Sequence, residues 1–243
     1  MKKLILVIND HEEVGKTSFS AALVHFLRSH ETDVTYLSII GEEDHDSKVG
    51  EPSYDGTWNI IQDNKVDHLF DWCEKGDALV CDVQSGYADA VMEMYESEDL
   101  DIVLREEGLE LTVVTPQVDE AICNEEIGQI ADRMADHAYY VVPRIPVDEF
   151  GSYLESWEDS EASTALDYLG AVVLEVPRVT DFMQEVIEGN ELSLVEALGL
   201  SSKELPEEVD SVMTGWRRDF DHQMEEAFDF LIPHVRQRMK IAS

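Results

Sequence analysis

The residues with the most distinctive chemistry lie in VINDHEEVGKTSFS, positions 7–20. Gly15-Lys16-Thr17 is the end of a GxxxxGK[ST] pattern, a loop that turns backbone N–H groups toward a phosphate. Each residue type has a task in that chemistry. Glycine lets the chain pass close to the anion, lysine brings positive charge to the outer phosphates, and the hydroxyl suits Mg²⁺. Here the first glycine of the pattern is Asp10, and His11, Glu12 and Glu13 stand where such loops carry glycine and lysine. A second segment, ALVCDVQSG at 78–86, ends an apolar run on Asp82 and turns at Gly86. A carboxylate at a strand's carboxyl end can face a metal ion beside a phosphate loop. Taken alone, Asp82 reads as a strand-terminating turn residue; the GKT upstream sets a metal-side reading level with it.

The loop's magnitudes point toward damage. A former glycine that needs φ > 0 costs roughly 1–2 kcal/mol once it carries a Cβ. A carboxylate roughly 8 Å from a phosphate charge costs about 2 kcal/mol at an effective dielectric near 20. Several kcal/mol would turn a micromolar site into a millimolar one.

The elements that must position these residues follow from periodicity. Leu4 to Ile8 reads as a buried first strand. Phe19, Ala22, Leu23, Phe26 and Leu27 follow at helical spacing. Further strands are expected at Val34 to Ile40, Ala78 to Val83, Leu111 to Thr115, Tyr139 to Val142 and Ala171 to Val176. Helices are expected around Ile60 to Cys73, over Asp119 to Met134 and over 206–232, with a polar loop from Gly41 to Thr57. Strands separated by helices imply an α/β fold, a mostly parallel sheet with helices on both faces. The chain reads as one domain over 1–243, with a helical C-terminal part from about 180.

With these segments in hand, the chain resembles the ParA/MinD-type ATPases, a branch of P-loop proteins. Residues 11–18 (HEEVGKTS) stand in register with that family's KGGVGKTT, and Asp82-Val83-Gln84-Ser85-Gly86 with its metal-side turn. VVTPQVDEA at 113–121 and LGAVVLEVPRVTDF at 169–182 match its later strands and turns, over about residues 1–200. The resemblance implies ATP and Mg²⁺ as ligands. Lys16 would meet the β- and γ-phosphates, Ser18 the α-phosphate, and Thr17 the metal, with Asp82 near it. Backbone N–H groups of Val14, Gly15, Lys16 and Thr17 would hold the anion. It also implies a homodimer and a protein partner, which the residues do not name. The departures are equally specific. His11 replaces the family's signature lysine. Counting from Thr17 puts Ser38 and Ile40 where the family has two carboxylates; a short slip in register would bring Glu42 or Asp44 there instead.

Composition bounds the partners. Asp and Glu number 54 against 17 Lys and Arg, a net of −37, which repels nucleic acid and anionic lipid. Hydrophobic residues, at 44%, suffice for a large core, yet no apolar run has membrane-span length. MKKLILVIND reads as a strand rather than a secretion signal. The three cysteines, Cys73, Cys81 and Cys123, form no CxxC pair, so a reduced, cytoplasmic protein is expected. EEDHDSK at 42–48 reads as a solvated acidic loop in preference to a hard-cation site. HVRQRMKIAS at the C-terminus reads as a packed final helix, not a membrane anchor.

Three functional classes remain: a working ATPase that partitions, positions or transfers cargo such as plasmid DNA; a degenerate relative acting as a binding or positioning factor with weak or lost nucleotide binding and hydrolysis; and a small-acceptor kinase. The altered loop favours the second, and no acceptor site marks the third. The largest basic grouping, Arg217, Arg218, Arg236, Arg238 and Lys240, is interleaved with Asp219, Asp221, Glu225, Glu226 and Asp229. Random duplex DNA should therefore show no gel retardation by low-micromolar protein at physiological salt, with or without ATP. Clear retardation would reveal a basic surface that this charge pattern denies.

Overall fold

The computed structural model describes residues 1–12, 14–41, 54–62, 66–118, 120–134, 137–146 and 156–233. Seven strands form one sheet: β1 (Lys2–Val7), β2 (Val34–Ile40), β3 (Gly56–Asn59), β4 (Ala78–Val83), β5 (Leu109–Val114), β6 (Tyr139–Arg144) and β7 (Val172–Glu175). Their order is β3-β2-β4-β1-β5-β6-β7, and every pairing is parallel. The apolar runs that mark β1, β2 and β4 are near-continuous because both faces of a parallel sheet are covered.

Alternation along each strand divides two cores. Leu4, Leu6, Leu79 and Cys81 face one side, packed with α2 (Val66–Cys73), α3 (Ala88–Ser97), α4 (Leu100–Glu106), α5 (Ala121–Met134) and α6 (Glu161–Tyr168). Ile5, Val7, Tyr36 and Val80 face the other. They pack with α1 (Lys16–Ser29), α7 (Asp181–Gly189), α8 (Leu194–Gly199), α9 (Glu207–Glu226) and α10 (Phe228–Leu231). All elements after β7 in the described residues are helical. Lys3 is 1% exposed, its charge held by Glu110 at 2.8 Å and its ammonium over the Tyr139 ring.

Several boundaries differ from the sequence reading. β3 occupies the end of the stretch read as a loop, where a four-residue strand has too few side chains to show a period. The helix expected around Ile60 to Cys73 begins only at Val66. β6 runs through Pro143 to Arg144, past the expected end at Val142. The proline's carbonyl still accepts from Gln117 N at 2.8 Å, so the strand continues despite its missing donor. The long helix expected over 206–232 divides at Ala227 into α9 and α10. Arg236, Arg238 and Lys240 lie outside the described residues.

α1 packs against α8, and α9 reaches it through Phe220. Phe220 is 2% exposed; its ring stacks on Trp216 at 4.9 Å and meets Phe19 at 5.7 Å. Phe220→Ala should lower unfolding stability by about 3–4 kcal/mol, through lost burial and the cavity left behind. Urea denaturation followed by tryptophan fluorescence measures it; a loss below about 1 kcal/mol would mean that α9 does not brace α1.

Candidate functional site

The chain leaves β1 toward β2 on one side, while β5, β6 and β7 are added on the other. Such a reversal opens a crevice at the strands' carboxyl ends. There the loop after β1 meets the turn after β4, since Val7 lies beside Asp82 and Ser38 flanks Asp82 from β2. Gly15 is the N-cap of α1 with φ 74°, a left-handed conformation that disfavours any side chain. The first turn's N–H groups, from Lys16 onward, have no intrahelical acceptor, and the helical bonding starts with Phe19 N to Gly15 O at 2.8 Å.

Lys16 is 7% exposed. Its Nζ donates to His11 O at 3.0 Å and to Ser85 Oγ at 2.8 Å. Burial lowers its pKa, opposed by the charges of Asp82, Asp10, Glu126 and Cys123. Asp82 is fully buried, and that burial raises its pKa. Hydrogen bonding from Tyr54 and Thr17, the charge of Lys16, and Ser20 work the other way. The Tyr54 hydroxyl donates to Asp82 Oδ2 at 2.7 Å. Asp82 Oδ1 is buried without a well-formed hydrogen bond among the described residues. Lys16, Thr17 and Asp82 are thus brought together; Ser18 lines the crevice next to Gly15. Val14 is 1% exposed and anchors the loop in the core.

Asp10 and His11 of the altered loop have partners in neighbouring elements. Asp10 Oδ1 accepts from Gly86 N and Ala88 N, both at 2.9 Å, so its carboxylate is committed to the start of α3. His11 N donates to Asn9 Oδ1 at 2.8 Å, and its Nε2 lies 3.2 Å from Glu120. Glu12 is exposed, and Glu13 lies outside the described residues. Asp10, His11 and Glu12 all have ordinary negative φ, so the penalty for a left-handed Cβ does not arise at them. Ser38 and Ile40 are buried, at 4% and 6% exposure. Glu42, Asp44 and the EEDHDSK segment lie outside the described residues.

Beside Gly15 and Ser18 opens a cavity of about 530 Å³, walled by Ile145, Pro146, Pro177 and Phe220. That volume suits a small ligand. A Cβ at Gly15 would come within 3.3 Å of Ile145 Cδ1, so the bare glycine keeps this mouth open. Trp216 Nε1 donates to Pro177 O at 2.8 Å and fixes the far wall.

These residues fit a magnesium nucleotide. Lys16 and the free end of α1 suit phosphate. Among the described residues no three His, Cys, Asp or Glu side chains converge on a metal. Mg²⁺ needs no such cage, because one or two oxygen ligands plus phosphate and water serve it. The Thr17 hydroxyl and the buried Asp82 Oδ1, which has no well-formed hydrogen bond among the described residues, are such ligands. Sequence reasoning missed Tyr54, Ser85 and the cavity walls. Ser85 lay within the quoted DVQSG turn; nothing in the sequence ties Tyr54 to Asp82.

The fold has solved counterparts. MinD cell division protein of Aquifex aeolicus aligns with a TM-score of 0.50 at 13% identity, over 93% of this chain and 98% of the other. The MinC:MinD cell division protein complex of the same organism gives a TM-score of 0.50 at 11% identity, over 93% and 95%. The fold is the MinD type of P-loop NTPase. Identity at this level speaks for the fold alone. No family model matches the sequence, and no curated protein matches it. Within this MinD-type fold the Asp10 bridge ties the loop after β1 to α3. Asp10→Ala should cost about 1 kcal/mol of stability, the usual loss for a helix-start acceptor. Urea denaturation of the folded variant measures it, and an unchanged midpoint would mean that the bridge carries no energy.

Proposed function

We propose that this protein is a ParA/MinD-like nucleotide-binding factor whose loop retains phosphate binding and whose hydrolysis is absent or very slow. The observation that supports it most is the junction at Lys16. The ammonium lies between His11 O and Ser85 Oγ, with Thr17 against Asp82 and the cavity opening at Gly15. Lys16 and α1's free N–H groups would hold the phosphates; Thr17 and Asp82 are the residues that would meet Mg²⁺, which would supply charge neutralisation when bound, with the share of Asp82 limited by its hydrogen bond from Tyr54. The cavity would take the base and sugar. The loop's acidic residues do not argue against this, since Asp10 is committed to Gly86 and Ala88 and Glu12 faces solvent.

Slow turnover is supported by the metal side. A positioned acceptor is needed to orient attacking water. Ile40 has no such group, and Ser38 is a buried hydroxyl beside Asp82. On this reading nucleotide occupancy controls a protein contact, as a binding or positioning factor. One neighbour in the fold is a complex of MinD with MinC, and a protein partner or a second copy is the corresponding proposal here. Bulk DNA is an unsuitable partner for the described surface. Arg217 is buried and donates to the carbonyls of Ala197 and Leu200, while Arg218 pairs with Asp219 at 3.0 Å. Among the described residues no helix is long and apolar enough to cross a membrane. Cytoplasmic location is proposed from the free, buried Cys73, Cys81 and Cys123.

Calorimetric titration with Mg-ATP and Mg-ADP tests the reading. Both should bind, and Lys16→Ala should weaken binding at least about tenfold, about 1.4 kcal/mol. Steady-state phosphate release should stay at background. Binding that is undetectable at millimolar nucleotide would reject nucleotide binding. Phosphate release well above background and abolished in Lys16→Ala would instead mark a working ATPase.

A further inference from the structure

Tyr54 is the residue whose position the nucleotide reading leaves unexplained. Its hydroxyl donates to Asp82 Oδ2 at 2.7 Å, on a carboxylate that is 0% exposed. The geometry is built from several directions. Gln84 Nε2 donates to the phenol oxygen at 3.4 Å, which leaves the phenol proton for Asp82. The Tyr54 ring packs on Tyr36 with centroids 4.6 Å apart. The next residue fixes the backbone: Asp55 N donates to Tyr36 O at 2.8 Å, and Tyr36 N donates to Asp55 Oδ2 at 2.8 Å. Tyr54 is thus a held side chain aimed at the carboxylate beside Thr17.

We infer that Tyr54 is a positioning residue that competes with a divalent cation for Asp82. Nucleotide then enters the loop without needing metal, and tight metal coupling requires the Tyr54 hydroxyl to leave. The inference rests on the nucleotide reading above. Its physical basis is ligand geometry. Mg²⁺ demands a near-octahedral set of oxygens at about 2.0–2.1 Å and gives up its waters reluctantly. A carboxylate clamped through one oxygen by a buried phenol is not free to turn toward such an ion. Only Oδ1, which has no well-formed hydrogen bond, remains on offer. A purely structural Tyr54 would satisfy a buried carboxylate and affect stability, with no effect on how much metal strengthens nucleotide binding.

The full-length protein is titrated with ADP by calorimetry, in Mg²⁺ and in EDTA, as wild type and as Tyr54→Phe. Phenylalanine keeps the ring on Tyr36 and removes only the hydroxyl. In the wild type the two ADP affinities should agree within about threefold; in Tyr54→Phe, Mg²⁺ should strengthen binding about tenfold or more, about 1.4 kcal/mol. Mn²⁺ with ADP, followed by electron paramagnetic resonance, should show bound ion in the variant well below the concentration needed for the wild type. Adding Asp82→Asn to Tyr54→Phe should return the ratio to about the wild-type value. A wild-type ratio of about tenfold or more overturns the inference by itself, whether or not the variant folds. So does a variant ratio equal to the wild type, or a double variant that keeps the metal effect. Absence of ADP binding to the wild type in both Mg²⁺ and EDTA rejects the nucleotide reading itself, and the Tyr54 inference with it.

Discussion

The burial of the Lys16 ammonium is the constraint on which the rest of this site depends. A charge that is 7% exposed must be met by fixed acceptors and opposite charge, or it gives up its proton. Here the acceptors are the His11 carbonyl and the Ser85 hydroxyl, and the charges are Asp82 and Asp10. Those groups come from two different connections, after β1 and after β4. Meeting them at once fixes the loop against the turn, and places α1's open end at the crevice where the strand order reverses.

The same logic explains the acidic loop. Asp10 satisfies two N–H groups at the start of α3, where a carboxylate is favoured both by hydrogen bonding and by the helix dipole. The residue that breaks the glycine pattern therefore has structural partners in the two N–H groups it accepts from. His11 is likewise drawn toward Glu120. The loop is best described as one whose side chains reach outward to neighbouring elements while its left-handed turn is kept at Gly15.

Asp82 carries the opposite tension. Its burial favours the protonated form, while the Tyr54 hydroxyl, Thr17, Lys16 and Ser20 favour the carboxylate. Tyr54 is placed beside it by the backbone pairing between Asp55 and Tyr36. The surroundings of Asp82 are thus defined as much by an aromatic residue from another connection as by its own strand.

The sequence by itself determined the parallel α/β plan, because strands such as Val34 to Ile40 and Ala78 to Val83 are largely apolar and buried along their whole length, and α1 keeps its apolar stripe from Phe19 to Leu27. It also singled out Gly15, Lys16, Thr17 and Asp82, because local patterns record backbone and charge requirements directly. The short strand β3, the passage of β6 through Pro143 and the break at Ala227 were not legible, since each is decided by neighbours that complete its hydrogen bonds. Only the tertiary structure decided what Asp10 does. From sequence it is a negative charge in a phosphate loop; in the fold it is an acceptor for Gly86 and Ala88, more than seventy residues away along the chain. The role of Tyr54 was hidden for the same reason. Carboxylate and phenol chemistry is set by the partner within hydrogen-bond reach, and sequence order does not record which distant residue that will be.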